Sequence, residues 1–128
     1  MRTLLAMIRL KRAYDPPAPQ DGVRVLVDRL WPRGVKRDSA QLSRWMKEIG
    51  PSDQLRQFFG HEPERFEEFR RRYLKELSLA SAKPQLDELL ALARRETLTL
   101  VYGAKDPLHN QAVVLKGLLE SRLKRQKG

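Results

Sequence analysis

The chain contains no cysteine, and that absence removes disulfide staples, thiolate catalysis and cysteine-ligated zinc together. A cytoplasmic setting is what such a composition suits. Histidine is nearly as scarce. His61 and His109 are the only two, and neither has a partner at metal-ligand spacing, so no metal site is expected. Gly34 and Gly103 stand alone rather than in glycine-rich runs, which excludes Walker and dinucleotide phosphate loops, and there is no Gly-x-Ser-x-Gly elbow. No cofactor is expected on these grounds. Long apolar runs are missing as well: Arg9, Lys11 and Arg12 interrupt the apolar start before a secretory core or membrane span is reached.

What the chain has in excess is positive charge. Lysine and arginine number 26 against 16 acids, for a formal net charge of +10. An anionic partner, either a small molecule or nucleic acid, fits that excess, and so does simple solubility. The charge is uneven. Residues 24–37 hold Arg24, Arg29, Arg33, Lys36 and Arg37 against Asp28 alone, and Arg122, Lys124, Arg125 and Lys127 follow Glu120. With 128 residues, 41% of them hydrophobic and 33% charged, the chain is expected to form one globular domain over 1–128 with its own core.

Residues 8–11 alternate as a half-buried strand does, and the proline-rich stretch 15–22 reads as a loop. Residues 23–28 and 97–102 are short, β-branched and mostly apolar, the pattern of strands buried in a sheet. Over 35–50 two readings fit: a helix capped by Asp38 or Ser39 that carries Leu42, Trp45, Met46 and Ile49, or extended chain around Trp45. Ser52 and Gly60 bracket a short helix. Pro63 opens a helix with Phe66, Phe69, Tyr73, Leu74 and Leu77 on one stripe, and its Glu62, Glu64, Glu67 and Glu68 beside Arg65, Arg70, Arg71 and Arg72 read as a solvated face. Pro84 opens another helix, with Leu86, Leu89, Leu90 and Ala93 inward, and a last amphipathic helix runs from Asn110 to about Lys124. Strands separated by helices predict an α/β fold, a small parallel or mixed sheet covered by helices.

Two segments concentrate chemistry where a strand runs out, the place ligands occupy in open α/β sheets. In Asp28-Arg-Leu-Trp-Pro-Arg-Gly34, Arg29 and Arg33 supply planar charged forks for phosphate or carboxylate, Trp31 supplies a stacking surface, and Asp28 is a candidate for proton transfer. In Tyr102-Gly-Ala-Lys-Asp-Pro-Leu-His-Asn-Gln111, Lys105 adds charge ahead of a helix N-terminus, and His109 is a candidate for proton transfer. Each segment also has a purely structural reading. Asp28 would pair with an arginine and Trp31 would be core; Asp106 would cap the helix and Asn110 would hold the turn. If the two strands are neighbours, their ends converge on one cleft.

The strings Leu10-Lys-Arg-Ala-Tyr-Asp15, Asp21-Gly-Val-Arg-Val-Leu-Val-Asp-Arg-Leu-Trp-Pro-Arg-Gly34, Pro51-Ser-Asp-Gln-Leu-Arg56 and Thr97-Leu-Thr-Leu-Val-Tyr-Gly-Ala-Lys-Asp106, with His109 and Asn110, resemble the YeaO-like family of bacterial proteins over nearly the whole chain. The resemblance implies a cytoplasmic α/β domain without implying a substrate. Other branches of the wider family carry cysteines around the last strand and turn, and with none here a thiol mechanism does not carry over. The resemblance also groups Arg12, Tyr14, Asp28, Arg29, Trp31, Arg33, Lys105, Asp106, His109 and Asn110 as one expected site, with Asp28 and His109 handling protons and the others binding. Three readings stay open: an anion or nucleotide site with or without catalysis, a basic nucleic-acid-binding module, and an adaptor docking through Trp45, Phe58 and Phe59.

Overall fold

The computed structural model describes residues 7–127; the start of the apolar leader and the Lys127 side chain lie outside the described residues. Four strands, β1 (Ile8–Arg12), β2 (Val23–Leu26), β3 (Arg44–Trp45) and β4 (Leu98–Tyr102), make one sheet in the order β1-β4-β2-β3. Every pairing is parallel. β4, the last strand among the described residues, is therefore interior, and its five residues are all buried, which is why Leu98-Thr-Leu-Val-Tyr102 reads as a mostly apolar run, with the Thr99 hydroxyl satisfied by donating to the Asp21 carbonyl at 2.6 Å. Its neighbours hold it in register through Ile8↔Leu98 and Arg12↔Tyr102 on one side and Val23↔Leu98 and Leu26↔Val101 on the other. The two strands expected to carry the site are adjacent, and their carboxyl ends lie side by side.

Helices α1 (Arg37–Ala40), α2 (Asp53–Phe59), α3 (Phe66–Leu77), α4 (Lys83–Arg95) and α5 (Gln111–Lys127) supply the cover and the crossovers. α5 packs on β1 and β4, and α4 packs on β4 and α5. The core joins the inward stripes of α3 and α4 (Phe69, Tyr73, Leu86 and Leu89) to Val25, Leu98 and Leu100 of the sheet. Tyr73 buries its ring and satisfies its hydroxyl by donating to the Ile49 carbonyl at 2.7 Å. Glu68 pairs with Arg71 and Arg72 on the exposed face of α3, as the charge pattern predicts. Among the described residues no helix is long and apolar enough to cross a membrane.

Three expectations change. The helix drawn through Leu42, Trp45, Met46 and Ile49 does not form. Asp38 and Ser39 lie inside the one-turn α1, Gln41 is left-handed at φ 48°, and Arg44–Trp45 is extended against β2. Chain that must pair with Val25 and Leu26 cannot also close a helical turn. Arg24, counted in the basic segment, is 4% exposed. Its guanidinium donates to Asp21 at 2.7 Å and to the Ala40 carbonyl at 3.1 and 2.9 Å, so it is a core ion pair and not surface charge. The apolar patch of the adaptor reading is also missing, because Phe59 is buried among Phe66 and Phe69 and neither Trp45 nor Phe58 is exposed.

Candidate functional site

A cavity of about 340 Å³ opens at the carboxyl ends of β1, β2 and β4, within the size range of small-molecule sites. Asp28 lies in its lining, two residues beyond β2. The backbone ladder continues past the strand, with Val27 N–H donating to the Val101 carbonyl at 3.0 Å, and this brings Asp28 beside Gly103. Asp28 Oδ2 accepts the Gly103 N–H at 2.8 Å, and Oδ1 accepts the side-chain amide of Gln111 from the first turn of α5. Burial pushes the Asp28 carboxyl up to about 6, against the pull of the Gly103 N–H, the Gln111 amide and the positive charge of Arg56. A carboxyl there can take or release a proton close to neutral pH.

Arg56 enters from α2. Ser52 caps that helix by accepting the Leu55 N–H at 3.2 Å, and Glu76 of α3 holds Ser52 by its N–H at 2.9 Å and its hydroxyl at 2.5 Å. α2 is thus fixed at its N-terminus, and Arg56 lines the cavity with Gln57 and Phe59. Arg56 Nη2 pairs with Asp53 at 3.2 Å, while its Nε–H is buried without a hydrogen-bond partner. A buried donor left unpaired costs about 1–3 kcal/mol, so this atom marks a place where the protein alone does not complete its hydrogen bonding. Neither Arg56 nor Gln111 is among the residues expected from the sequence. An arginine three positions after Asp53 reads as an exposed helix pair, and Gln111 is an ordinary first-turn residue until Asp28 lies beside it.

The expected site residues divide between the cavity and its frame. Tyr14, Asp28, Arg29, Trp31, Arg33 and Asn110 line the cavity. Arg29 uses its guanidinium to hold the opposite wall, donating to the Pro51 and Gly50 carbonyls at 2.8 Å each. It positions that wall, and two of its guanidinium nitrogens are engaged there. Trp31 packs edge-on against Trp45 with centroids 5.3 Å apart, and Arg37 sits 4.4 Å from the Trp31 ring. The ring nitrogens donate to the Val35 and Asp28 carbonyls at 2.7 Å, so both tryptophans fix the loop after Asp28. Tyr14 is held by its hydroxyl on the Arg33 carbonyl at 2.8 Å and by Arg12 lying 4.9 Å over its ring; Arg12 Nε also donates to the Ala104 carbonyl at 2.9 Å.

The turn before α5 is more structural than expected. Asn110, 1% exposed, caps the helix by accepting the Val113 N–H at 3.1 Å, and its amide donates to the Asp106 carbonyl at 2.8 Å. Asp106 accepts the N–H groups of Leu108 and His109, which hold its carboxyl below the ordinary range, and it pairs with His109 Nδ1 at 2.8 Å. The structural roles foreseen for these two residues are exchanged: asparagine caps and aspartate shapes the turn. His109 packs edge-on against Phe66 at 5.2 Å. Lys105, His109 and Asp106 are not in the cavity lining, whereas His61, which is exposed, is.

Comparison with known proteins covers the same span. The uncharacterized protein YeaO of Escherichia coli is 45% identical over 114 residues, which is 89% of this chain and 97% of that protein. The uncharacterized protein Mb3100c of Mycobacterium bovis is 41% identical over 115 residues, 90% of this chain and 95% of its own length. The uncharacterized protein Rv3073c of Mycobacterium tuberculosis matches to the same extent. No solved structure matches significantly. The model of the family described as the inactive DUF488-N3 subclade matches residues 7–128, almost the whole chain and every residue of the cavity. The YeaO-like resemblance thus holds, and the chain belongs to the inactive DUF488-N3 subclade.

Proposed function

We propose that the protein is a binding domain for a small anionic molecule, phosphate- or nucleotide-like, held in the cavity at the strand ends. The observation that carries this reading is Arg56 in the cavity lining, whose guanidinium pairs with Asp53 only through Nη2 among the described residues and so keeps charge and donors for an anionic oxygen, the natural acceptor for a guanidinium. Arg33 and His61, both exposed and both in the lining, add donors at the mouth, and Tyr14 and Trp31 offer flat surfaces. The family's description as an inactive subclade favours binding without turnover, and on that reading Asp28 recognises ligand rather than turning it over.

The polyanion reading loses part of its motive. Arg24 is buried, Arg12 and Arg29 are engaged on backbone carbonyls, and Arg70, Arg71 and Arg72 face carboxylates. Thermal-shift titration with inorganic phosphate, ribose phosphate, nucleoside monophosphates and a short oligonucleotide tests both readings. Binding of a small anion to the native chain, lost in Arg56→Gln and weakened in Arg33→Ala, is the expected result. A response to the oligonucleotide alone, abolished by moderate salt, would transfer the assignment to nucleic acid.

A further inference from the structure

We infer that an anion in this cavity is held together with one proton, shared between the anion and Asp28. The site thereby separates oxyanions by whether they bring that proton: hydrogen phosphate carries one at neutral pH, and sulfate carries none. The inference rests on the small-anion reading above and names the side chain that selects among anions.

Asp28 is the only acid among the lining residues, and the other lining groups that can carry charge near neutral pH, Arg29, Arg33, Arg56 and His61, are all basic. An anion drawn in by these cations therefore meets one opposing charge. Neither partner of the carboxyl cancels it, because the Gly103 N–H on Oδ2 and the Gln111 amide on Oδ1 are both neutral. Those two bonds leave each oxygen a lone pair, since a carboxylate has about four acceptor sites. A bare anionic oxygen beside it sets two acceptors together with no hydrogen between them. Pro32, Pro51, Phe59 and Phe69 wall the same cavity, and charges near apolar walls are screened less than in water. One proton turns the repulsion into an O–H···O⁻ hydrogen bond, which belongs to the short, strong class.

The neighbours of Asp28 leave it as the group that meets this proton. Arg56 of α2 makes its charge felt at the carboxyl, while Arg29, next in the chain, is engaged on the Gly50 and Pro51 carbonyls. From α3 come Tyr73, whose phenol burial pushes far up and keeps neutral, and Glu76, which is turned to Ser52. The end of β4 and the first turn of α5 contribute the neutral Gly103 and Gln111, and β3 contributes the Trp45 ring N–H, which donates to the backbone carbonyl of Asp28. Burial pushes the carboxyl up to about 6. At pH 5.5 Asp28 itself holds the proton in most molecules, and at pH 7.5 the anion must bring it or the complex must take it from solvent.

Isothermal titration with sulfate and with inorganic phosphate at pH 5.5 and 7.5 tests this in the native protein, Asp28→Asn and His61→Gln. Sulfate is expected to lose about tenfold or more in affinity between the two pH values, as linkage to a single proton requires. At pH 7.5 it should bind at least about tenfold more weakly than phosphate, the size of one hydrogen bond to a charged group. Asp28→Asn, neutral at constant shape, should flatten the sulfate dependence and bring the two anions together at pH 7.5. His61→Gln removes the other lining group able to gain a proton and should keep the slope. If Asp28→Asn folds poorly, sulfate titration of the His61→Gln protein at pH 7.5 in two buffers of different ionisation enthalpy decides, with uptake of close to one proton per sulfate expected. A sulfate affinity unmoved by pH, a phosphate preference that survives in Asp28→Asn, a slope that vanishes in His61→Gln, or no proton uptake overturns the inference and leaves the anion site standing. Failure of both anions to bind at either pH, or binding indifferent to Arg56→Gln, overturns the anion site and the inference with it.

Discussion

The carboxylate of Asp28 and the backbone N–H of Gly103 meet at 2.8 Å across 75 residues of chain, tying the end of one strand to the end of its neighbour at the cavity. Position 103 has no room for a side chain. A Cβ there would stand 2.8 Å from Asp28 Oδ2 and 3.3 Å from Pro32 Cβ, and the carboxylate would have to move. Gly103→Ala should cost about 1–3 kcal/mol in a urea melt, the usual range for overpacking, and should displace Asp28 from Gln111. An unchanged melt with intact ligand binding would show that the carboxylate yields freely.

Removing the Asp28 charge should stabilise the fold and damage the site. Its carboxyl titrates at about 6 in the folded protein against an ordinary 3.8, so the native state binds the proton more tightly than the unfolded chain. Stability contributed by the protonated form is complete below about pH 4 and is lost as pH rises toward about 6, after which it is flat. Asp28→Asn should abolish that slope and gain up to about 3 kcal/mol at pH 7. A variant less stable than the parent at pH 7 would mean that the hydrogen bonds outweigh the cost of burial.

Asp21 carries the opposite sign. Burial works against its ionised form, but the Ala18 N–H, Lys11 and Arg24 outweigh burial and hold the carboxyl below 3.8. Its contribution is present at neutral pH and fades as pH falls below about 4. Asp21→Ala leaves Arg24 buried without its carboxylate and should cost about 3–5 kcal/mol at pH 7. A loss below about 1 kcal/mol, on the scale of an exposed pair, would show that Lys11 and Arg24 find water.

Ser52→Ala tests how α2 carries Arg56. Loss of the cap should cost about 1 kcal/mol and also takes the hydroxyl donor from Glu76 Oε2, while Oε1 keeps the backbone N–H. Denaturant unfolding measures the first effect and phosphate titration the second. Weakened phosphate binding with a folded chain is expected, and full affinity would detach Arg56 from the helix anchor.

Much of this architecture is legible in the string because interior parallel strands write themselves as apolar runs. Residues 23–28 and 97–102 do so, and polar residues gathered at their ends point to the cavity. A strand of two residues such as Arg44–Trp45 has no period to read, and Trp45 suits a helix stripe as well as an extended chain. Arg24 illustrates a different failure: charge is visible in a sequence, but the Asp21 carboxylate and Ala40 carbonyl that swallow it are set by packing. Arg56 and Gln111 acquire meaning only from residues far along the chain. Arg29 and Arg33, four apart in one conspicuous segment, look alike until one of them proves to hold the Gly50–Pro51 carbonyls.

The placement of β4 between β1 and β2 has a consequence for how the protein is made. A ribosome releases both flanking strands long before the strand that separates them, and they do not pair with each other. A nascent chain emerged only through α4 therefore has a gap where the sheet's middle belongs, with two open apolar strand edges and Asp28 lacking both of its partners, Gly103 and Gln111. Folding waits on the carboxyl-terminal quarter, which makes truncated products prone to edge-to-edge association and makes the cavity all-or-none with respect to complete synthesis.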